Sequence, residues 1–172
     1  KQQTMASAVT SILVLTAMTV SAEMYWKFNL VNTKLYPNAL CLDGTPAGYW
    51  FLQGYGEGAD KYIIHHHAGG WCIDTEDCYG RSLSDIGSSS TWMSGDCDAG
   101  SVQQPCLDAV EGIFSGDADV NPLTYNWNKV YFGYCDGASF SGHLEETVPV
   151  PDHNTSLHYK GRFILDAVHD TV

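Results

Sequence analysis

Residues 62–72 read YIIHHHAGGWC, and this stretch decides the fold. The apolar, β-branched start predicts a short buried strand over 61–66, which ends at a turn containing Gly69 and Gly70. Two glycines at a strand end let the backbone turn tightly and point successive N–H groups into open space. Such amides can hold the oxyanion that forms during ester hydrolysis. A plain glycine turn after a buried strand is the simpler interpretation. The surrounding sequence must therefore distinguish an oxyanion-binding turn from an ordinary one.

Other segments complete a mixed pattern of strands and helices. Strands are predicted at 48–53 (GYWFLQ) and 129–135 (KVYFGYC), and one or two edge strands within 28–42. Asp74 and the acidic residues after it predict a helix over 74–83. An apolar stripe predicts an amphipathic helix over 159–172. Short strands separated by loops and followed by a helix are typical of a mixed α/β layered sheet.

The first 22 residues are not expected to belong to the folded domain. Residues 5–22 resemble a signal peptide, because their apolar core at 12–20 is too short to span a bilayer and Val20-Ser21-Ala22 forms a small-residue cleavage site. Residues 1–4 precede the methionine and are interpreted as upstream or added sequence. A buried N-terminal helix is the alternative. Residues 23–172 are then a single secreted domain.

The chain is acidic, with a formal net charge of −12 at pH 7. This charge argues against nucleic acids and anionic membranes as partners, since both select basic patches. It is compatible with neutral or esterified substrates. The sequence does not predict an oligomeric state.

Six cysteines behind a signal peptide indicate up to three disulfides, for which 15 pairings are possible. Two pairs are close enough in sequence to suggest local bridges, and the other two cysteines would then join distant segments. A zinc site is the alternative, but no C-x-x-C motif supports it. Asn154-Thr155-Ser156 is a glycosylation sequon, as expected of a secreted protein. The suggested pairs are Cys72 with Cys78, Cys97 with Cys106, and Cys41 with Cys135.

Four motifs together resemble the pectin acetylesterase family, which includes the animal carboxylesterase Notum. They are CLDGTPAGY at 41–49, GGWC at 69–72 followed by Cys78, YNWN at 125–128 and YCDGASFSG at 134–142. Their order and spacing also match, and the resemblance covers roughly residues 40–170. It implies an α/β-hydrolase-like three-layer sandwich, present here only as its N-terminal part.

The resemblance implies a Ser-His-Asp esterase that removes acetyl groups from pectin in the cell wall, without a cofactor. In the family the serine lies in a G-C-S-A-G-G segment after the helix that 157–168 resembles, and this chain ends before it. We therefore assign no nucleophile, base or acid, and expect the chain alone to be inactive. What carries over is the oxyanion loop, with the backbone N–H groups of Gly69 and Gly70 as donors and Trp71 as a pocket wall.

Two positions depart from the family pattern. His67 and Ala68 stand where the family usually has Glu or Gln followed by Gly, and Ala68 fits only if its φ is negative. A Notum-like enzyme acting on an acylated protein is one alternative function. A non-catalytic secreted binding module on a hydrolase scaffold is the other, and the two departures favour it.

Other candidate residues have simpler structural interpretations. His65 and His67 would share one face of a strand, but no acidic or cysteine ligand accompanies them, so no metal site is predicted. Ser139 and Ser141 are interpreted as loop hydrogen-bonding groups, because the local base, His143, is only two residues from Ser141.

Three more residues belong to loops. Asp136 is interpreted as a turn residue. Trp92 and Met93, in a long loop, are candidates for lining a substrate cleft.

Overall fold

A computed structural model describes residues 26–90, 92 and 112–172. Short 3₁₀ turns at 56–58, 112–114 and 151–153 join the regular elements. The strands are β1 (Lys27–Leu30), β2 (Gly48–Leu52), β3 (Tyr62–His66), β4 (Asn128–Phe132), β5 (Val148–Val150) and β6 (Thr155–Leu157), and the helices are α1 (Thr75–Ser82) and α2 (Gly161–His169).

Four strands form one mixed sheet in the order β1-β2-β4-β3. β1 pairs antiparallel with β2 and β2 with β4, whereas β3 runs parallel to β4. Strands form at 48–53, 61–66 and 129–135 as predicted, although β4 ends at Phe132. The prediction that 61–66 is buried is wrong for the described residues, because β3 lies at the edge of this sheet and its side chains are exposed or half-exposed. Only β1 forms a strand within 28–42. The sequence analysis missed the separate β5–β6 hairpin, whose strands have three residues each and include Pro149.

The two faces of the sheet bury different sets of side chains, because side chains alternate along each strand. One face packs against α2, and on the other face Trp50 and Tyr131 pack with Trp26 and Phe114. This layering agrees with the α/β-hydrolase-like fold implied by the sequence. The α2 face contains Tyr49, Val130, Phe132, Ile164, Ala167 and Val168, and the other face contains Trp26, Trp50, Leu52, Phe114 and Tyr131.

Both predicted helices are confirmed. Asp74 caps α1, since its Oδ1 accepts a hydrogen bond from the Asp77 N–H at 2.8 Å. α2 buries Ile164, Ala167 and Val168, as the apolar stripe predicts. It begins at Gly161, where any side chain would overlap the carboxylate of Asp136.

Two of the three suggested disulfides are present. Cys41–Cys135 ties the segment between β1 and β2 to the segment after β4, and Cys72–Cys78 ties the loop after β3 to α1. Cys97, Cys106 and the signal-like segment 5–22 lie outside the described residues. Within the described ranges, no helix is long and apolar enough to cross a membrane.

Candidate functional site

The GGWC segment lies at the carboxyl end of β3, beside the loop that follows β4. Trp71 forms an isolated antiparallel bridge with Ala138, and the Cys72 N–H donates to Gly137 O at 2.9 Å. Parallel strands bring their carboxyl ends to the same edge of a sheet, so two loops distant in sequence meet there. This edge is where open α/β sheets generally bind ligands.

Three successive carbonyl groups of the segment are hydrogen-bonded. Gly69 O accepts from Arg81 Nη1 at 2.6 Å, and Trp71 O accepts from Arg81 Nη2 at 3.0 Å. Between them, Gly70 O accepts from the hydroxyl of Tyr134. The loop is therefore held by its carbonyl oxygens.

Two of these peptide groups have their N–H, on Gly70 and Trp71, on the side opposite the hydrogen-bonded carbonyl. In a trans peptide the N–H of one residue points away from the C=O of the residue before it. The N–H of Gly70 therefore points away from Arg81, and the N–H of Trp71 points away from Tyr134. Neither of these amides, nor that of Gly69, donates to any acceptor in the described residues. Free, fixed N–H groups of this kind can bind an anionic oxygen.

Two glycines are required for this shape. Gly70 has a φ of +71°, in the left-handed region that favours glycine. Gly69 lies against the ring of Tyr134, and a β-carbon there would overlap it. Burial, followed by the negative charge of Asp136, raises the pKa of Tyr134, so its hydroxyl keeps the proton that it donates to Gly70.

Asp136 organises the neighbouring loop, as its interpretation as a turn residue predicts. Its carboxylate is fully buried, and Oδ2 accepts from the Phe140 N–H at 2.7 Å. This bond supports Ser139 and Phe140, which have φ values of 51° and 60°. Burial raises the pKa of Asp136 to about 6. Oδ1 has no hydrogen-bond partner in the part of the chain that the structure describes.

Trp71 is 62% exposed, and its indole N–H donates to Ser139 Oγ at 2.6 Å. A cavity of about 190 Å³ lies elsewhere, between residues 35–39 and α2, and no residue of 67–72 lines it. The pocket-wall role of Trp71 remains a prediction. Ser141 Oγ donates to Ala138 O at 2.5 Å, so both serines take part in loop hydrogen bonds.

The three histidines alternate across β3 as expected. His65 and His67 contact the ring of Tyr131, while His66 contacts Phe132 and His169 on the other face. Burial, then the neighbouring His169, lowers the pKa of His66. Among residues 26–90, 92 and 112–172, no group of three or more acidic, histidine or cysteine side chains could hold a metal ion.

Ala68 meets the condition set by the sequence. The described non-glycine residues with positive φ are Ser139, Phe140 and Asn154, so the φ of Ala68 is not positive. Replacing the family's glycine at this position therefore causes no backbone strain.

Trp92 packs against the aromatic residues of the sheet, and its cleft-lining role stays a prediction. Its ring centroid lies 5.6 Å from that of Trp50 and 6.2 Å from that of Phe28. It also fills the space over Gly133, and its indole N–H donates to Asp85 O at 2.9 Å. Met93 lies outside the described residues.

The sequence analysis missed Arg81 and Tyr134 as parts of the site. Their bonds to the glycines cross 12 and 64 residues of sequence, so no local motif links them. The one signal for Arg81 was its place in the last turn of α1, three residues after Cys78.

Comparisons with known proteins agree with the arrangement of motifs. The Pectinacetylesterase family model matches residues 19–172. Pectin acetylesterase 5 of Arabidopsis thaliana is 36% identical over 144 residues, which are 84% of this chain and 30% of that protein. The chain spans about a third of the length of the plant relatives it matches.

Animal proteins match the same region. The structure of the Wnt deacylase Notum from Drosophila is similar, with a TM-score of 0.65 and 26% identity over 87% of this chain and 37% of that one. The inactive palmitoleoyl-protein carboxylesterase notum1b of Danio rerio is 29% identical over 109 residues, 62% of this chain and 68% of that protein.

Proposed function

The chain belongs to the pectinacetylesterase family, and on that basis we propose that it carries the oxyanion-binding loop of a secreted carboxylic ester hydrolase that removes acetyl groups from pectin. The observation that supports this most is the GGW segment, whose carbonyl groups are hydrogen-bonded while its N–H groups are not.

The chemistry requires donors placed before the reaction begins. When a serine attacks an ester, the carbonyl oxygen of the ester becomes negatively charged. The N–H groups of Gly69, Gly70 and Trp71 would stabilise that charge. Gly69 and Gly70 are the predicted donors, and Trp71 is added because its N–H points away from Tyr134. Losing one oxyanion donor typically slows an esterase by about 10²–10³-fold. No cofactor takes part.

No G-x-S-x-G segment occurs in the 172 residues, so the proposal assigns no nucleophile among them. The chain alone is therefore expected to release no acetate from acetylated pectin.

Three features support secretion. Residues 5–22 have the pattern of a signal peptide. Two disulfides are compatible with an oxidising compartment. The sequon residue Asn154 is exposed at the turn of the β5–β6 hairpin.

Two other functions have support from particular observations. The similarity to Notum favours hydrolysis of a fatty acyl group from a protein. His67 and Ala68, together with the similarity to a relative described as inactive, favour a non-catalytic binding module.

A chimera tests the proposal. Residues 26–172 replace the matching segment of Arabidopsis pectin acetylesterase 5, which supplies the rest of the hydrolase, and acetate release from acetylated pectin is measured. We expect activity, and we expect Gly70→Ala to lower kcat about tenfold or more, because a φ of +71° costs a non-glycine residue about 1–2 kcal/mol.

Gly80→Ala is the matched control, because a side chain there meets nothing within 4 Å. A folded chimera that hydrolyses no ester would overturn the enzyme proposal and favour the binding module. Hydrolysis of a palmitoleoylated peptide but not of acetylated pectin would favour the protein deacylase.

A further inference from the structure

We propose that Arg81 is the positioning residue of the oxyanion loop, a side chain on α1 that fixes the direction of the Gly70 N–H through Gly69 O and anchors the loop again at Trp71 O, without touching the substrate. The inference rests on the proposed function of the loop. Its physical content, however, concerns the loop's geometry and can be tested on this chain alone.

Arg81 makes a pair of hydrogen bonds to the loop. Nη1 and Nη2 of one guanidinium bind Gly69 O at 2.6 Å and Trp71 O at 3.0 Å, so they bridge the two carbonyls on either side of Gly70. The guanidinium is a rigid planar fork, and it therefore fixes the orientation of both peptide groups relative to one another. A lysine ammonium cannot reproduce this two-point geometry.

Arg81 is itself held in place by contacts with its own helix. Its side chain is 20% exposed, and Nε lies 3.7 Å from Asp77 Oδ2. The same Asp77 oxygen accepts from the Ile73 N–H at 3.0 Å. The Cys72–Cys78 disulfide joins α1 to the residue that follows Trp71. The helix, the arginine and the loop are thus connected at several points.

Arg81 also acts on the loop through its positive charge. A β-carbon built on Gly70 would lie 3.8 Å from Nη2, so the cation is directly behind this residue. A positive charge hydrogen-bonded to a carbonyl polarises the peptide group and makes its N–H a stronger donor. Arg81 would therefore both orient and strengthen the N–H of Gly70, which shares a peptide group with Gly69 O.

The test is NMR spectroscopy of the ¹⁵N,¹³C-labelled chain with both disulfides intact. In Arg81→Met we expect upfield shifts of the Gly69 and Trp71 carbonyl carbons, together with broadening or loss of the Gly70 and Trp71 amide peaks. Arg162→Met is the matched control, because that arginine pairs with Asp166 on α2. It should leave all four signals unchanged.

Two further variants keep the test decisive if Arg81→Met does not fold. Arg81→Lys retains the charge and should lose at least one of the two carbonyl shifts. In Arg81→Ala, added methylguanidinium should restore both shifts, whereas methylammonium should not. The proposal is wrong if Arg81→Lys keeps both carbonyl shifts with sharp Gly70 and Trp71 amides, or if methylguanidinium restores neither shift. The NMR signals do not depend on esterase activity, so an inactive chimera would not change the outcome of this test.

Discussion

Single residues determine the shape of the loop between β3 and α1. Gly69 lies against the ring of Tyr134, Gly70 has a positive φ, and Ala68 occupies a position that tolerates a side chain. The presence of two glycines was evident from the sequence. The sequence did not show why each position requires glycine. Gly69 is required because of the Tyr134 ring, and Tyr134 lies 65 positions later in the chain.

Gly69→Ala is expected to destabilise the protein by about 1–3 kcal/mol, the usual cost of overpacking, because the new methyl group would overlap the Tyr134 ring. Urea unfolding of the purified chain measures this. Gly80→Ala, in the interior of α1 with open space around it, should instead stabilise by up to about 1 kcal/mol. Equal effects of the two substitutions would contradict the contact with Tyr134.

Asp136 makes a testable contribution to the pH dependence of stability. Burial raises its pKa from 3.8 to about 6, so the folded state binds this proton more tightly than the unfolded state. Stability from this group is complete below pH 3.8 and is lost as the pH rises through about 6.

Asp136→Asn keeps an acceptor for the Phe140 N–H and removes the titration. Relative to the wild type, its free energy of unfolding should therefore increase by about 3 kcal/mol between pH 3.5 and 7. Asp170→Asn, an exposed aspartate, controls for the loss of one carboxylate. A constant difference between Asp136→Asn and wild type across this range would contradict the account.

At the scale of elements, the two disulfides differ greatly in the sequence separation of the cysteines that they join. Cys41–Cys135 spans 94 positions and joins the residues between β1 and β2 to the segment after β4, whereas Cys72–Cys78 spans six and joins the loop after β3 to α1. Close spacing in sequence predicts the Cys72–Cys78 bridge, and Cys41–Cys135 is the pair that remains once the local bridges are assigned. Elements shorter than about four residues, such as β5 and β6, left no pattern that sequence reasoning could use.

Replacing each disulfide by two alanines should therefore have different costs. In the chain-entropy treatment, the Cys41–Cys135 bridge contributes about 4–5 kcal/mol and the Cys72–Cys78 bridge about 2–3 kcal/mol. Thermal unfolding followed by circular dichroism measures the two variants side by side. A larger loss for the Cys72–Cys78 variant would contradict this ordering.

The β5–β6 hairpin presents Asn154 for modification. When the chain is expressed through a eukaryotic secretory pathway, we expect one N-glycan, seen as a mobility shift that peptide N-glycosidase removes. Asn154→Gln and Ser156→Ala should both abolish the shift, while Ser156→Thr should keep it. Secretion without any glycan on the wild-type chain would exclude this assignment.

At the scale of the whole molecule, the sequence predicted which segments form the main sheet and which face of α2 is buried, because those properties depend on local periodicity. The family motifs then predicted how the segments assemble. Neither local periodicity nor the family motifs predicted the hydrogen bonds from Arg81 and Tyr134 to the loop. These bonds depend on contacts between α1, the segment after β4 and the loop. The long loop containing Cys97 and Cys106 lies outside the described residues, and its predicted bridge stays a prediction.

Amide hydrogen exchange of the Gly70 and Trp71 N–H groups, with Cys72 as the internal reference, tests the central claim most directly. The account predicts that Gly70 and Trp71 exchange rapidly while the Cys72 amide, which donates to Gly137 O, is protected. Protection of Gly70 and Trp71 equal to that of Cys72 would mean that these amides are bonded within the protein, and would contradict their role as oxyanion donors.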